Sequence, residues 1–250
     1  MHEGGRKLGR ILEHVTEHAT CGISLLALER LADDLIRKEG GQASFKTVKG
    51  YKWATCLCVN EAVVHGIPVE YTLRDGDILT VDIGLLYQGL HTDTAWTIEV
   101  GHKEKHPNNP KSCREKQDFL AVGQKALWHA ISQATAGNRI GHISKAIQDT
   151  IEQAGYNVVR TLVGHGVGKE LHEEPQIPGI LKGALESTPM LENGMTLAIE
   201  VIYAMGSGSI VYENDDGWTL STRDRSISAV FEHTICISED KPAILTRAEA

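Results

Sequence analysis

Apolar residues recur at intervals of three and four in two segments near the start of the chain, at Leu8, Ile11, Leu12 and Val15 and then at Leu25, Leu28, Leu31 and Leu35. This spacing predicts two amphipathic helices. Ser24 comes directly before the second run and is a suitable N-cap. The second half of the chain also begins with two predicted helices, one over 119–134 and another through Ile143, Ile147 and Ile151.

Each pair of predicted helices is followed by β-rich segments that carry acids among apolar residues. Gly76 comes six positions before Asp82, and Gly194 comes six positions before Glu200. Both acids have apolar neighbours on either side. Burying a carboxylate costs on the order of several kcal/mol unless a partner neutralises it. We therefore expect cations inside this part of the protein, and we interpret the repeated spacing as a metal site.

The first of these acids has a partner across a predicted hairpin. The β-rich segments 78–83 and 92–98 flank a turn near 87–89, and Asp82 and Asp93 lie symmetrically about it. Antiparallel pairing in that register predicts two carboxylates directly opposite each other, with Cβ atoms about 5 Å apart. Because like charges repel at that distance, a divalent cation between them would be needed.

The second acid also has a candidate partner. Glu232 lies in the β-rich segment 229–237, a long insertion further along the chain. The alternative is that each acid is an exposed strand residue paired with a lysine or arginine, which is the usual situation of an acid in a strand. The apolar neighbours of these acids favour burial.

The repeated plan of helix, helix and strands predicts two related halves, about 1–100 and 118–250, packed around a shared site. We expect the whole chain to be one α+β domain. The segment 101–117 between the halves is rich in charge and proline and is predicted to be an exposed linker. His102 and His106 in it have a spacing that suits a metal on a helix, but Pro107 favours a solvated loop.

A histidine completes the candidate ligand set. His165 lies in the glycine-rich turn 164–168, and His172 follows seven residues later. A lone histidine in such a turn is more often a hydrogen-bonded turn residue than a ligand, but four nearby acids reverse that expectation. Four carboxylates and one imidazole, without thiolate, suit two ions of Mn, Fe, Co or Zn better than a structural zinc.

These residues resemble the type I methionine aminopeptidases of the pita-bread metallopeptidase superfamily. The resemblance runs from about Ile11 to Ile237 and rests on specific segments, which are Val64-His65-Gly66-Ile67-Pro68, the hairpin from Asp82 to Asp93, Gly164-His165-Gly166-Val167-Gly168, His172-Glu173-Glu174-Pro175, Ala198-Ile199-Glu200, Asp216-Gly217-Trp218 and Phe231-Glu232-His233-Thr234. It implies a pita-bread fold, with curved antiparallel sheet and flanking helices around a dinuclear metal site. It also implies the metal ligands Asp82, Asp93, His165, Glu200 and Glu232.

The resemblance further implies removal of the N-terminal methionine from nascent proteins and peptides by a metal-activated water. Glu200 would also act as the base, His172 would contact the scissile carbonyl, and His65 would contact the backbone beyond the scissile bond. The methionine pocket would be lined by Tyr51, Cys56, His65, Leu171 and Trp218. The family usually has phenylalanine where this chain has Leu171, so we expect a roomier pocket.

Asn60 and Ser228 match positions that line a monovalent cation site, for Na or K, in relatives. The resemblance also allows association with the ribosome.

Composition narrows the class of protein. The net charge is −8, with 25 basic and 33 acidic residues, and argues against nucleic-acid binding as the main activity. No segment approaches the length of a membrane span, and the first residues lack the apolar core of a signal peptide. Five cysteines without CxxC spacing predict neither a disulfide framework nor a thiolate zinc site. We expect a cytoplasmic monomer.

Two alternatives stay open. A proline-specific aminopeptidase or prolidase shares the ligand set but usually carries a large N-terminal domain, and the spacing from His165 to His172 favours the methionine enzyme. A non-catalytic homologue that acts as a binding module typically loses ligands, and all five are intact here.

Overall fold

The computed structural model of the protein describes residues 1–101, 110–213 and 216–248. It contains four α-helices, which are α1 (His2–His18), α2 (Leu25–Lys38), α3 (Pro110–Ser132) and α4 (Ile140–Gln153). The four helices that hydrophobic spacing predicts are therefore confirmed. None of the helices in the described ranges is long and apolar enough to cross a membrane.

The strands are β1 (Gln42–Ala43), β2 (Thr55–Val59), β3 (Ala62–Val64), β4 (Ile78–Tyr87), β5 (Leu90–Glu99), β6 (Asn157–Val158), β7 (Val163–Gly166), β8 (Glu173–Pro178), β9 (Thr196–Ala204), β10 (Ile210–Tyr212), β11 (Leu220–Thr222), β12 (Ser228–Cys236) and β13 (Ala243–Ile244). Ten of them form one antiparallel sheet, whose main path is β1-β4-β5-β12-β9-β7-β8. Within this sheet β2 pairs with β4, β6 with β9 and β13 with β12. A small sheet has the order β10-β11-β3.

The ends of the helices follow local chemistry. The Ser24 hydroxyl accepts a hydrogen bond from the Ala27 amide at 3.2 Å, so the predicted N-cap of α2 is confirmed. Helix α3 begins at Pro110. Proline suits the first turn of a helix because it has no backbone N–H, and an N–H there would have no partner within the helix. The linker predicted over 101–117 therefore ends earlier, and 110–117 is helical. His102 and His106 lie outside the described residues.

The helices cover one face of the large sheet, and the predicted acids lie on the other. Successive strand residues point to opposite faces. In β4, Val81 and Ile83 pack with α1 and α2, and in β9, Ile199 and Val201 pack with α3 and α4. The acid between each pair of apolar residues must therefore point away from the helices.

The hairpin of β4 and β5 differs from the predicted register by two residues. Tyr87 pairs with Leu90, so the loop consists of Gln88 and Gly89 alone. Both have positive φ, 50° and 78°, as a two-residue hairpin turn of the primed type requires. Asp82 consequently faces Ala95, and the prediction that it lies directly opposite Asp93 is wrong. The two acids are diagonal neighbours on the same face.

Candidate metal centre

The five predicted ligands lie on two adjacent rows that cross the large sheet. In the first row, Asp82 pairs with Ala95, Ala95 with Glu232, and Glu232 with Glu200. This row joins strands β4, β5, β12 and β9, so the two halves of the chain each contribute acids to it.

The second row lies two residues further along each strand. It contains Asp93 on β5, and His165 on β7, which pairs with Ala198 of β9. Since two residues of strand span about 6.6 Å and keep the same face, both rows point their side chains into one space. The structure therefore brings all five predicted ligands together.

The turn glycines that precede the acids have the same role in both halves. Gly76 and Gly194 have φ values of 84° and 87°, in the left-handed region that glycine adopts without strain. Each allows a tight turn directly before the strand that carries Asp82 or Glu200. The repeated spacing of glycine and acid therefore reflects the same kind of turn before each of these two strands.

His165 is held with one ring nitrogen facing the acids. A side chain at the preceding Gly164 would lie 2.5 Å from the Ala198 carbonyl oxygen, so glycine permits the close approach of β7 and β9. The His165 Nδ1 lies 2.8 Å from the Gly166 carbonyl oxygen, which can only accept, so Nδ1 carries the proton. Its Nε2 is left as a ligand atom, 3.6 Å from the Glu200 Oε1.

The site is buried and strongly acidic. Asp93 and Glu232 are buried, Asp82 and Glu200 are partly buried, and in the described ranges none of the four forms an ion pair with a lysine or arginine. The alternative of exposed acids paired with basic residues is therefore wrong. Buried oxygens of Asp82 and Glu232 have no hydrogen-bond partner in the described part of the chain.

Burial and mutual repulsion set the protonation of the site. Burial raises the pKa of each of the four carboxyl groups well above its ordinary value, and the charge of neighbouring carboxylates raises it further. Burial lowers the pKa of His165 to about 4, which keeps its imidazole neutral and able to coordinate.

These observations fit divalent cations. Ligand atoms of Asp93, His165 and Glu232 lie within 4.8 Å of one another. The unpartnered oxygens of Asp82 and Glu232 offer further hard donors, and oxygen with imidazole nitrogen suits first-row divalent metals. A cation would neutralise the repulsion that the carboxylates exert on each other.

Metal binding to this site should release protons. Because burial raises the pKa of these carboxyl groups, they keep their protons to a higher pH when no metal is present, and a cation selects the ionised form. The apparent affinity for Mn²⁺ should therefore increase as the pH rises from 6 to 8. Calorimetric titration in two buffers with different ionisation enthalpies measures the number of protons released. A release of zero protons would contradict the raised pKa values.

A cavity of about 300 Å³ opens above the acids. His65 and His172 both line it, and the His172 ring makes an edge contact with His165 at a centroid distance of 4.4 Å. Burial lowers the pKa of both histidines, and each imidazole is therefore neutral near pH 7. His65 has a φ of 57°, a conformation that non-glycine residues seldom adopt and that often marks a functional site.

Much of the remaining lining of the cavity is apolar or aromatic. Tyr51, Cys56, Leu171 and Trp218, the predicted pocket residues, all line it. Phe45 also lines it and was not predicted, because it lies in a short 3-10 segment without the period of a helix or strand. The Tyr51 ring makes edge contacts with Phe45 and Trp218, at centroid distances of 6.4 and 5.1 Å.

The chain matches Metallopeptidase family M24 over residues 1–239. It is 40% identical over 247 residues to methionine aminopeptidase 1 of Bacillus subtilis, covering 99% of this chain and 95% of that protein. The crystal structure of methionine aminopeptidase from Thermotoga maritima superposes with a TM-score of 0.91 at 40% identity, covering 99% of this chain and 95% of that one. Prolidase from Pyrococcus furiosus shares the fold alone, with a TM-score of 0.76 at 20% identity and 63% of its chain covered.

An α+β pita-bread fold with a buried acidic centre on its antiparallel sheet is the architecture of a metallopeptidase. The chain belongs to metallopeptidase family M24 and, within that family, to the methionine aminopeptidases.

Proposed function

We propose that this protein hydrolyses the first peptide bond of peptides and nascent proteins that begin with methionine. Two divalent metal ions would be held by five side chains, which are Asp82, Asp93, His165, Glu200 and Glu232. The observation that carries the proposal is the position of these side chains on two adjacent rows of one sheet, where they line a cavity together with a cluster of apolar and aromatic residues.

Divalent ions in such a centre supply a Lewis acid and lower the pKa of a bound water toward neutrality. The protein must then move the proton of the attacking water. Glu200 is suited to this because it is only partly buried and lines the cavity, while Glu232 directly opposite is buried. Glu200 would take the proton from the water and pass it to the leaving amine.

The two histidines would act on the peptide itself. His172 lies against His165 and is exposed in the cavity, so its neutral imidazole can donate a hydrogen bond to the scissile carbonyl oxygen as negative charge develops there. His65 lines the same cavity, and its pKa is lowered by burial and by His172. It would contact the peptide nitrogen beyond the scissile bond.

The apolar and aromatic part of the cavity lining would receive the methionine side chain. Aromatic rings favour a thioether through contacts worth about 0.3–1.5 kcal/mol. Phe45, Tyr51 and Trp218 supply three rings, and Cys56 and Leu171 are buried beside them in the same cluster. A free amine at the start of the substrate would lie next to the acidic centre, which selects exopeptidase over endopeptidase activity.

Replacing Leu171 should change selectivity between methionine and norleucine. If Leu171 lines the pocket, Leu171→Phe adds a ring beside the thioether and should raise the ratio of the two kcat/KM values by roughly two- to tenfold. The ratio is measured with Met- and norleucine-headed tripeptides, and Leu171→Ile, which keeps the volume, serves as the control. An equal ratio in wild type and Leu171→Phe would mean that Leu171 does not contact the substrate side chain.

Peptide hydrolysis with and without added Mn²⁺ or Co²⁺ tests the proposed function. Met-Ala-Ser should be cleaved after methionine, Met-Leu-Ser more slowly, and Gly-Pro-Ala not at all. Cleavage of Gly-Pro-Ala in preference would identify a proline-specific peptidase of the same fold. No cleavage of any peptide by the metal-loaded protein would identify a binding module.

We further propose that the physiological metal is Mn, Fe, Co or Zn. The protein would be a cytoplasmic monomer that meets nascent chains at the ribosome.

A monovalent cation, Na or K, would lie near Asn60 and Ser228. These two residues are in contact, since the Asn60 carbonyl oxygen accepts a hydrogen bond from the Ser228 amide at 2.9 Å. Thermal stability in KCl, NaCl and a large organic cation at equal ionic strength tests for that site.

A further inference from the structure

Strands β5 and β12 join the two halves of the protein, yet their backbones pair at only two positions. These are Glu232 with Ala95 and His233 with Thr94. On either side of these two pairs, a threonine hydroxyl on one strand binds the backbone N–H and C=O of a residue on the other strand. Thr234 does so at one end, and Thr97 does so at the other.

At the first end, Thr234 binds both backbone groups of Asp93. Its Oγ1 accepts a hydrogen bond from the Asp93 amide at 2.9 Å and donates one to the Asp93 carbonyl oxygen at 2.7 Å. The Thr234 side chain is fully buried. The hydroxyl therefore satisfies both backbone groups of the residue from which the Asp93 carboxylate projects. The carboxylate also accepts a hydrogen bond from the Thr94 amide at 3.0 Å, and β4 pairs with β5 on the other side.

Thr234 is itself anchored from the segment that follows β13. The Thr234 amide donates a hydrogen bond to the Oγ1 of Thr246 at 3.1 Å, and the Leu245 amide donates one to the Thr234 carbonyl oxygen at 2.9 Å. Thr246 is also buried. The backbone that carries the Thr234 hydroxyl is therefore fixed by this segment.

At the other end, Thr97 makes the same pair of bonds to a residue that carries no candidate ligand. Its Oγ1 accepts from the Val230 amide at 2.9 Å and donates to the Val230 carbonyl oxygen at 2.7 Å. Thr97 and Thr234 lie two residues beyond Ala95 and Glu232 on their own strands, so the two arrangements are related by the local two-fold symmetry of the strand pair. Thr97 also contacts the Thr80 hydroxyl at 2.8 Å.

We propose that Thr234 is a positioning residue of the metal centre, which holds Asp93 in the orientation that a cation requires. This inference rests on the proposed role of Asp93 as a ligand. Groups that orient a ligand typically change metal affinity by about 10–100-fold when removed. Thr97 makes equivalent bonds to a residue that is not a candidate ligand. Comparing substitutions at Thr97 and Thr234 therefore distinguishes an effect on the orientation of Asp93 from an effect on the stability of the sheet.

Three variants of the full chain test the proposal, Thr234→Val, Thr234→Ser and Thr97→Val. Valine has nearly the shape of threonine but can neither accept nor donate, whereas serine keeps the hydroxyl. Each protein is stripped of metal, and the dissociation constant for Mn²⁺ is measured by calorimetric titration. Melting temperatures of the metal-free proteins report stability separately.

Thr234→Val should weaken Mn²⁺ binding by about 10–100-fold, and most of its kcat should return at saturating Mn²⁺. Thr234→Ser should bind Mn²⁺ close to wild type. Thr97→Val should melt at a lower temperature with its Mn²⁺ affinity unchanged. If Thr234→Val does not fold, Thr234→Ala, which leaves room for a water, is measured in its place with the same expected direction.

The proposal is overturned if removing the Thr234 hydroxyl leaves Mn²⁺ affinity unchanged, or if Thr97→Val weakens it equally. Absence of Mn²⁺ binding by the wild-type protein would instead contradict the proposed metal centre.

Discussion

Removing divalent metal should abolish the hydrolysis of Met-Ala-Ser and lower the melting temperature of the protein by roughly 5–10 °C. The loss of turnover follows because the acids cannot polarise a carbonyl without a cation. Cys56 also lines the cavity, but burial raises the pKa of its thiol, which keeps it protonated and a poor nucleophile. The loss of stability follows from mass action, since a site occupied at 100 times its dissociation constant contributes about 2.7 kcal/mol. For a chain of this length each kcal/mol corresponds to about 2–4 °C.

The carboxylates of the metal-free site also lower the stability of the folded protein. Four carboxylates face one cavity without a lysine or arginine from the described ranges, and burial raises the pKa of each. An acid whose pKa is raised by folding destabilises the folded state as the pH rises from its unfolded pKa toward its folded pKa. The effect of metal on the melting temperature should therefore be larger at pH 8 than at pH 6.

The measurement compares the protein after chelation with the same sample after excess Mn²⁺ is restored. Asp93→Asn, which lacks one carboxylate of the site, is the control, because chelation should shift its melting temperature less than that of wild type. Full turnover by rigorously stripped wild-type protein would contradict metal dependence and the proposed mechanism with it.

Local patterns predict the helices and the two strands that carry Asp82 and Glu200, because their signals lie within a few residues. The period of apolar positions defines the face of a helix that is buried. The spacing from Gly76 to Asp82 and from Gly194 to Glu200 includes the turn and the strand that follows it. Each of these features is complete within one segment of about a dozen residues, so it does not depend on which distant segment packs nearby.

The hairpin register shows where such patterns are insufficient. Placing Asp82 and Asp93 symmetrically centres the turn between Tyr87 and Gln88, one residue before its true centre. Gln88-Gly89 is not the Asn-Gly or Asp-Gly pair that most clearly marks a two-residue turn. A shift of two residues keeps every side chain on its face, so the hydrophobic pattern cannot detect it.

Local sequence patterns also cannot predict which strands pair between the two halves. The row that aligns Asp82, Glu232 and Glu200 exists because β5 pairs with β12, and the chain between these strands is more than 100 residues long. No periodic signal specifies such a neighbour. The acids, the histidine in its glycine-rich turn and the family resemblance identify the candidate ligands, but the pairing of Glu232 directly with Glu200 and the contribution of Phe45 to the cavity required the structure.

Glu200→Gln should lower kcat by about two to four orders of magnitude while the protein still folds and binds metal. Glutamine keeps the shape of the side chain and one oxygen that can coordinate, but it cannot accept the proton of the attacking water. Its effect on stability should be small or favourable, because the substitution removes one of the mutually repelling carboxylates that share the cavity.

Asp93→Asn is the matched comparison, since it also exchanges a carboxylate for an amide at the same centre. Asp93 is buried, whereas Glu200 is partly exposed to the cavity, so the loss of charge at Asp93 should act mainly on metal affinity. Its activity should recover in part at high Mn²⁺, and that of Glu200→Gln should not. Single-turnover rates at saturating Mn²⁺ with Met-Ala-Ser measure the difference. Recovery of Glu200→Gln to near the wild-type rate would mean that another group takes the proton, and Glu200 would then be a ligand only.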